Sequence, residues 1–137
     1  MARRLIIDTG VLIASERGRT ELMDVIAEDD DLVIAAITVA ELHTGIELAT
    51  ERHRAARAEF LVKVLETLPV EPYDLATAEA HGRLLAHAHR GGTKRGAHNL
   101  IIAATALTTR RTVLTTDRSA NFHDLPGVDC IVVQLAG

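Results

Sequence analysis

A chain of 137 residues is the size of one ordinary domain, long enough for a real core and too short for two. Its 47% hydrophobic and 25% charged residues place it with folded globular chains, and its net charge of −4 argues against coating nucleic acid by bulk basicity, though not against an enzyme that touches nucleic acid locally. One Tyr, two Phe and no Trp leave the core to Leu, Ile, Val and Ala and argue against binding bases on aromatic platforms.

Cys130 is the only cysteine, so no internal disulfide forms and a reducing compartment is expected. The apolar run after Arg4 stops at Asp8, too short for a secretion signal. No stretch approaches the ~20 apolar residues of a membrane helix. The expectation is a soluble, cytoplasmic protein.

In chain order, Leu5-Ile6-Ile7 reads as a first buried strand ending in Asp8. Residues 11–15 and 22–27 read as helical, broken at Gly18. The acidic run 28–31 is expected as a solvated connection that could also attract basic residues of a partner. Residues 32–37 read as a second strand, and Thr38 opens a helix carrying Val39, Leu42, Ile46 and Leu48. Residues 51–65 follow closely as a second helix, giving a helical hairpin. Leu68-Pro69-Val70 is a brief extended piece, ended by Pro72. Asp74 is the expected N-cap of a helix from Leu75 to about His89, stopped at Gly91-Gly92. Residues 97–107 form a helix that is apolar or small on every face from Leu100 onward, a helix for the domain interior. Thr112-Val113-Leu114-Thr115 is a strand, 117–126 a loop, and 129–133 a last strand.

Short apolar strands alternating with helices, without repeat or linker, predict one α/β domain over residues 1–137. Its central parallel β-sheet is flanked by helices on both faces. Sites in such sheets lie at the carboxyl ends of the strands, which singles out Asp8, Glu41, Asn99 and Asp117. Three carboxylates converging there repel one another unless a cation neutralises them. An oxygen-only donor set suits Mg2+ or Mn2+ better than zinc. Such ions bind a phosphodiester, orient a water and stabilise the leaving oxygen. Structural readings stand beside the chemical one. Thr38 and Glu41 have the spacing of a capping box, Asn99 has the place of an N-cap, and Asp8 and Asp117 fit ordinary turns.

Four collinear pieces weigh in favour of chemistry. They are Leu5-Ile6-Ile7-Asp8-Thr9-Gly10-Val11-Leu12-Ile13; Thr38-Val39-Ala40-Glu41-Leu42 with Gly45; Asn99-Leu100-Ile101-Ile102-Ala103-Ala104-Thr105-Ala106-Leu107; and Leu114-Thr115-Thr116-Asp117 with Asn121-Phe122. Together they span nearly the whole chain and resemble the PIN-domain family, most of all its VapC branch, the ribonucleases of bacterial toxin–antitoxin pairs. The resemblance implies a Mg2+- or Mn2+-dependent endoribonuclease acting on structured RNA such as tRNA or rRNA. It also implies a homodimer and silencing by a VapB antitoxin. Asp8, Glu41 and Asp117 match three of the family's acids, and Thr115 matches a hydroxyl that supports the site. At the fourth position, where the family has an acid, this chain has Asn99. The amide is neutral and holds a hard cation less strongly, so the expectation is a site complete in outline but attenuated or inactive. With its surroundings intact, the change reads more as an isosteric replacement of the kind made to silence a toxin than as drift.

Two other classes fit parts of this pattern. A non-catalytic PIN-like module that binds RNA or protein would also tolerate Asn99. A receiver-like signalling domain needs an acid pair after the first strand and a lysine after a late one, and Lys63 and Lys94 are both misplaced. Lys94, Arg95, Arg110, Arg111 and Arg118 lie near the ends of the site-bearing elements, either as phosphate contacts or as solvated charge. His81, His87 and His89 have poor zinc spacing. His98 is expected as a helix-start or surface histidine that could approach a phosphate. Leu42, Ile46 and the 51–65 helix are candidates for a groove receiving an antitoxin segment, or for plain internal packing.

Overall fold

Runs such as Leu5-Ile6-Ile7 and Val113-Leu114 have no polar alternation because both of their faces are covered. In the computed structural model, which describes residues 2–19, 21–92 and 94–134, they form the middle of the sheet. The elements are β1 (Arg4–Ile7), α1 (Thr9–Glu16), α2 (Leu22–Val25), β2 (Asp31–Ala35), α3 (Ala36–Glu47), α4 (Glu51–Thr67), β3 (Val70–Glu71), α5 (Leu75–Gly91), α6 (Ala97–Thr109), β4 (Thr112–Thr115) and β5 (Cys130–Val132). Two 3-10 turns, Arg118–Ala120 and Phe122–Asp124, lie between β4 and β5.

All pairings are parallel, in the order β3-β2-β1-β4-β5. The chain leaves β1 toward β2 on one side and returns to β4 on the other, so the strand order reverses at β1. The carboxyl ends of β1 and β4 therefore border the crevice where such sheets bind ligands. Register is set by Ile6 opposite Val113 and Ile7 opposite Leu114.

Strand side chains alternate between two cores. Ile6, Val33 and Val113 pack toward α5 and α6 with Leu84, Ile102 and Phe122. Ile7, Ile34 and Leu114 pack the other way with Leu12, Leu61 and Val64 of α1 and α4. Each such side chain contributes roughly 1.5–3 kcal/mol when fully buried, so six central-strand side chains hold the sheet between its two helical layers. The expected architecture, parallel and covered on both faces, is the one found.

The buried helix expected at 97–107 is α6. Leu100, Ile102, Ala103, Ala104, Thr105 and Ala106 are all buried, and α6 ends at Arg110 in the left-handed conformation. Asp74 caps α5 as expected: its Oδ1 accepts from the Thr77 N–H (3.0 Å) and hydroxyl (2.9 Å), which lowers its pKa. Gly92, at φ 65°, closes that helix in the left-handed region only glycine enters freely.

Two expectations need correction. α3 begins at Ala36 with Ala35 as N-cap and no side-chain cap, so Thr38 and Glu41 form no capping box. Thr38 lies inside the helix, fully buried, where its hydroxyl is 3.1 Å from that of Thr9. α2 stops at Val25, because Ile26 is already extended. Of the two readings for Leu42 and Ile46, internal packing is the one found, and Leu42 also borders a small pocket with Ile13, Arg57 and Phe60. An apolar groove does lie on α4, between its Phe60 and Val64 and Leu12 of α1, Leu22 and Met23 of α2 and the following Ile26.

The acidic run is no free loop. Arg3 reaches Asp30 with two nitrogens (3.0 and 2.6 Å), and this contact with the Ala27 N–H holds the Asp30 carboxyl down to about 2. Asp31 meets Arg4 (3.1 Å) and Arg111 (3.0 Å). Arg111 is buried, and its Nη1 also donates to the carbonyls of Asp31 (2.9 Å) and Leu5 (3.4 Å). Arg110 and Arg111 therefore lie at the amino edge of β4, opposite the crevice. They are not placed to hold a ligand there.

Candidate active site

Asp8 directly follows β1, and its fold role and its chemistry use the same atoms. As N-cap of α1 it accepts the Thr9 N–H on Oδ1 (2.8 Å), while Oδ2 accepts the Thr115 hydroxyl (2.7 Å). Its backbone continues the ladder through Asp8 N–H to the Leu114 carbonyl (2.9 Å). Only 6% of the residue is exposed. Burial raises its pKa against the opposing pull of the Thr115 and Thr9 hydrogen bonds, and the charges of Glu41 and Asp117 raise it further. Three acids thus act on one electrostatic environment, although they lie far apart in sequence.

Glu41 sits at the crevice on α3, half-buried. Its Oε1 accepts the Thr9 hydroxyl (2.8 Å), and its Oε2 lies 3.3 Å from Nδ1 of His98. Thr115 is fully buried between Asp8 and Asp117: it donates to the former and accepts the latter's backbone N–H (3.0 Å). The Asp117 side chain is turned outward and takes the Ser119 hydroxyl on Oδ1 (2.5 Å). Asn99 is the third residue of α6, whose N-cap is Gly96, so it does not cap the helix. Its amide packs over Gly96, where a Cβ would come within 2.9 Å of Nδ2, and it shares a cleft with Asp117. Gly10 allows α1 to approach the end of β4: a Cβ there would meet the Thr116 hydroxyl at 2.9 Å.

All five residues singled out in the sequence (Asp8, Glu41, Asn99, Thr115 and Asp117) therefore lie at one edge of the sheet. Among the described residues, however, no three His, Cys, Asp or Glu side chains stand close enough to grip one ion as they are. The oxygens offered are carboxylates and one amide, a donor set for a hard divalent cation. The mutual repulsion registered at Asp8 is what such a cation would relieve.

Four further residues take parts here that the sequence does not signal. Thr9 and Thr38 signal nothing by type, but Thr9 directly follows Asp8 in the first of the quoted pieces. His98 is exposed at the start of α6, as expected, and in addition touches Glu41. Arg95 fixes the loop beyond Asp117, donating from Nη1 to the carbonyls of Ala120 (3.1 Å) and Asn121 (3.0 Å). Of the zinc candidates, His81 is engaged with Tyr73, its Nδ1 2.9 Å from the phenol oxygen. Among the described residues, no helix is long and apolar enough to cross a membrane.

Residues 5–128 match the PIN domain. The chain is 36% identical over 115 residues to Ribonuclease VapC5 of Mycobacterium tuberculosis, covering 82% of each. It is 26% identical over 132 residues to Ribonuclease VapC of Rickettsia bellii, covering 96% of this chain and 97% of that one. Among solved structures it resembles VapBC-5 from Mycobacterium tuberculosis, a member of the VapBC family of toxin–antitoxin systems (TM-score 0.77, 29% identity, 95% of this chain and 98% of that one). It also shares the fold of VapBC2 from Rickettsia felis, solved bound to a DNA fragment from its promoter (TM-score 0.85, 17% identity, 96% and 99% of the chains). The chain belongs to the PIN-domain family, as a member of its VapC ribonuclease branch.

Proposed function

We propose that this chain is the toxin of a toxin–antitoxin pair, a cytoplasmic endoribonuclease built for Mg2+ or Mn2+ and attenuated at Asn99. The observation that carries this reading is the pair Asp8 and Glu41, both held through Thr9 at the crevice that Asn99 and Asp117 also border. Asp8, Glu41 and Asp117 would hold the cation, with the Asn99 carbonyl as a weaker fourth oxygen. When bound, the cation supplies charge neutralisation of a phosphodiester and of the leaving oxygen. The chain's own part is positional. Thr115 and the Thr9 N–H fix both oxygens of Asp8, and Thr9 and His98 hold the two oxygens of Glu41. The carboxylates thereby stay aimed at one edge instead of turning to solvent.

Structured RNA, tRNA or rRNA, is the substrate class of this reading, and a homodimer is its expected assembly, tested by analytical ultracentrifugation. The partner is a VapB-type antitoxin. The groove of Leu12, Leu22, Met23, Ile26, Phe60 and Val64 supports that assignment, since an amphipathic segment can lay its apolar face there.

The deciding experiment compares the wild type with Asn99→Asp for cleavage of tRNA and rRNA in Mg2+ or Mn2+. The expected result is weak or absent cleavage by the wild type and a gain of about 10–100-fold on restoring the acid. No gain would favour a PIN-like module that binds RNA or protein without cutting.

A further inference from the structure

The two halves of the site are fixed in different ways. Asp8 and Glu41 share Thr9 as a partner, and Thr115 holds the other oxygen of Asp8. Asn99 and Asp117 border one cleft, the first from α6 and the second from the turn after β4. Among the described residues, no side-chain hydrogen bond joins these two.

Arg95 links their segments. It stands one residue before Gly96, the N-cap of α6, and its Nη1 donates to the carbonyls of Ala120 (3.1 Å) and Asn121 (3.0 Å) in the turn. On the α6 side, the Asn99 amide packs over Gly96, where a Cβ would come within 2.9 Å of Nδ2, so position 99 and Gly96 move as one. On the other side, Asn121 takes the left-handed conformation (φ 50°), uncommon outside glycine, and Arg95 grips its carbonyl. Asn121 Nδ2 donates to the Ser119 carbonyl (3.2 Å), and the Ser119 hydroxyl donates to Asp117 Oδ1 (2.5 Å). A chain of contacts thus runs from Arg95 to the Asp117 carboxylate.

Holding the turn to the domain does not require this arginine. Phe122, which follows the turn, is 1% exposed and already anchors it in the core. The Arg95 Nε is buried without an acceptor, and among the described residues no carboxylate forms an ion pair with the guanidinium. Such an arrangement is unfavourable for fold stability alone. What Arg95 adds, and Phe122 does not, is the place of the turn relative to α6.

We propose that Arg95 is a positioning residue of the site, fixing the separation between the position-99 side chain and the Asp117 carboxylate. It acts through Asp117 and touches neither cation nor substrate. The proposal rests on the reading of Asp117 as a cation-holding group and deepens it by naming what places that group.

The test measures Mn2+ affinity, from the EPR signal of the free ion, together with urea unfolding. The proteins are the wild type and Asp117→Asn, each alone and combined with Arg95→Met or Arg95→Lys, and Arg111→Met. Arg111 is the matched control: it is buried, donates from Nη1 to two carbonyls and has an unpartnered Nε, but at the opposite edge. Arg95→Met is expected to weaken Mn2+ binding about tenfold in the wild type, and by less than about twofold once Asp117→Asn is present. Arg95→Lys keeps the charge and a donor and is expected to fall between, and it carries the comparison if the methionine variant does not fold. Arg111→Met is expected to lower stability at unchanged Mn2+ affinity. No loss from either Arg95 variant, an equal loss with and without Asp117, or the same loss in Arg111→Met would overturn the positioning role alone. Equal Mn2+ affinity in the wild type and Asp117→Asn would overturn the reading of Asp117 and the proposal with it.

Discussion

Thr115 joins two strands through one hydroxyl, donating to Asp8 Oδ2 at 2.7 Å while accepting the Asp117 N–H at 3.0 Å. Thr115→Val keeps the shape and removes both contacts, leaving a buried carboxylate oxygen and a backbone N–H unmet. The expected cost is about 1–3 kcal/mol in urea unfolding, while Thr115→Ser stays near the wild type. A valine variant as stable as the wild type would deny the hydroxyl this role.

Asp8 gives stability a dependence on pH whose direction is fixed by its raised pKa. The folded chain binds that proton more tightly than the unfolded chain, where the group titrates near 3.8. Between 3.8 and the raised value, stability falls as pH rises, and above it the loss is complete. Asp30, held down to about 2, acts only below that window. In metal-free buffer, the Tm of Asp8→Asn relative to the wild type is therefore expected to rise with pH and then level off. Melts between about pH 4 and pH 8 check this, and a flat difference would contradict it.

Thr9 is the residue on which Glu41 leans, through a 2.8 Å hydrogen bond made where Thr9 is 5% exposed. Thr9→Val frees that carboxylate without opening a cavity. Mn2+ affinity, read by calorimetry, is expected to fall about tenfold, with Thr9→Ser restoring it. Equal affinity in all three proteins would remove Thr9 from the supporting set.

Arg111 offers the opposite dissociation. Its Nη1 ties the carbonyls of Leu5 and Asp31 and the Asp31 carboxylate at the amino edge of the sheet. Arg111→Met is expected to cost about 2–3 kcal/mol in unfolding and to leave RNA affinity unchanged. A loss of RNA binding without a loss of stability would return this arginine to the ligand side.

The parts legible in the sequence were those written in a single local pattern. β4 falls on residues 112–115 as expected because a β-branched and apolar run between a helix end and a turn admits few other readings. The edge of the sheet followed from topology, since parallel strands bring their carboxyl ends to one side, and Asp8, Glu41, Asn99 and Asp117 were read from it. What misled was the degeneracy of short signals. Thr38 and Glu41 have capping spacing, yet α3 begins two residues earlier without any side-chain cap, and Thr38 is turned inward toward Thr9. Leu42 and Ile46 are apolar at helical spacing whether they face a groove or a core, and composition does not distinguish the two. The contact between His98 and Glu41, and that between Arg95 and Asn121, join distant segments and exist only once the chain has folded.

Asp8 caps a helix and closes a strand pair, Thr115 bridges two strands, and Glu41 is held from α1. Each is committed to the architecture, so altering any of them disturbs the scaffold. Asn99 is different: it caps nothing, and α6 is anchored by the apolar residues that follow it. Position 99 can therefore change between amide and acid without touching a helix cap or a strand pairing, so the charge at this edge of the sheet and the shape of the fold vary independently.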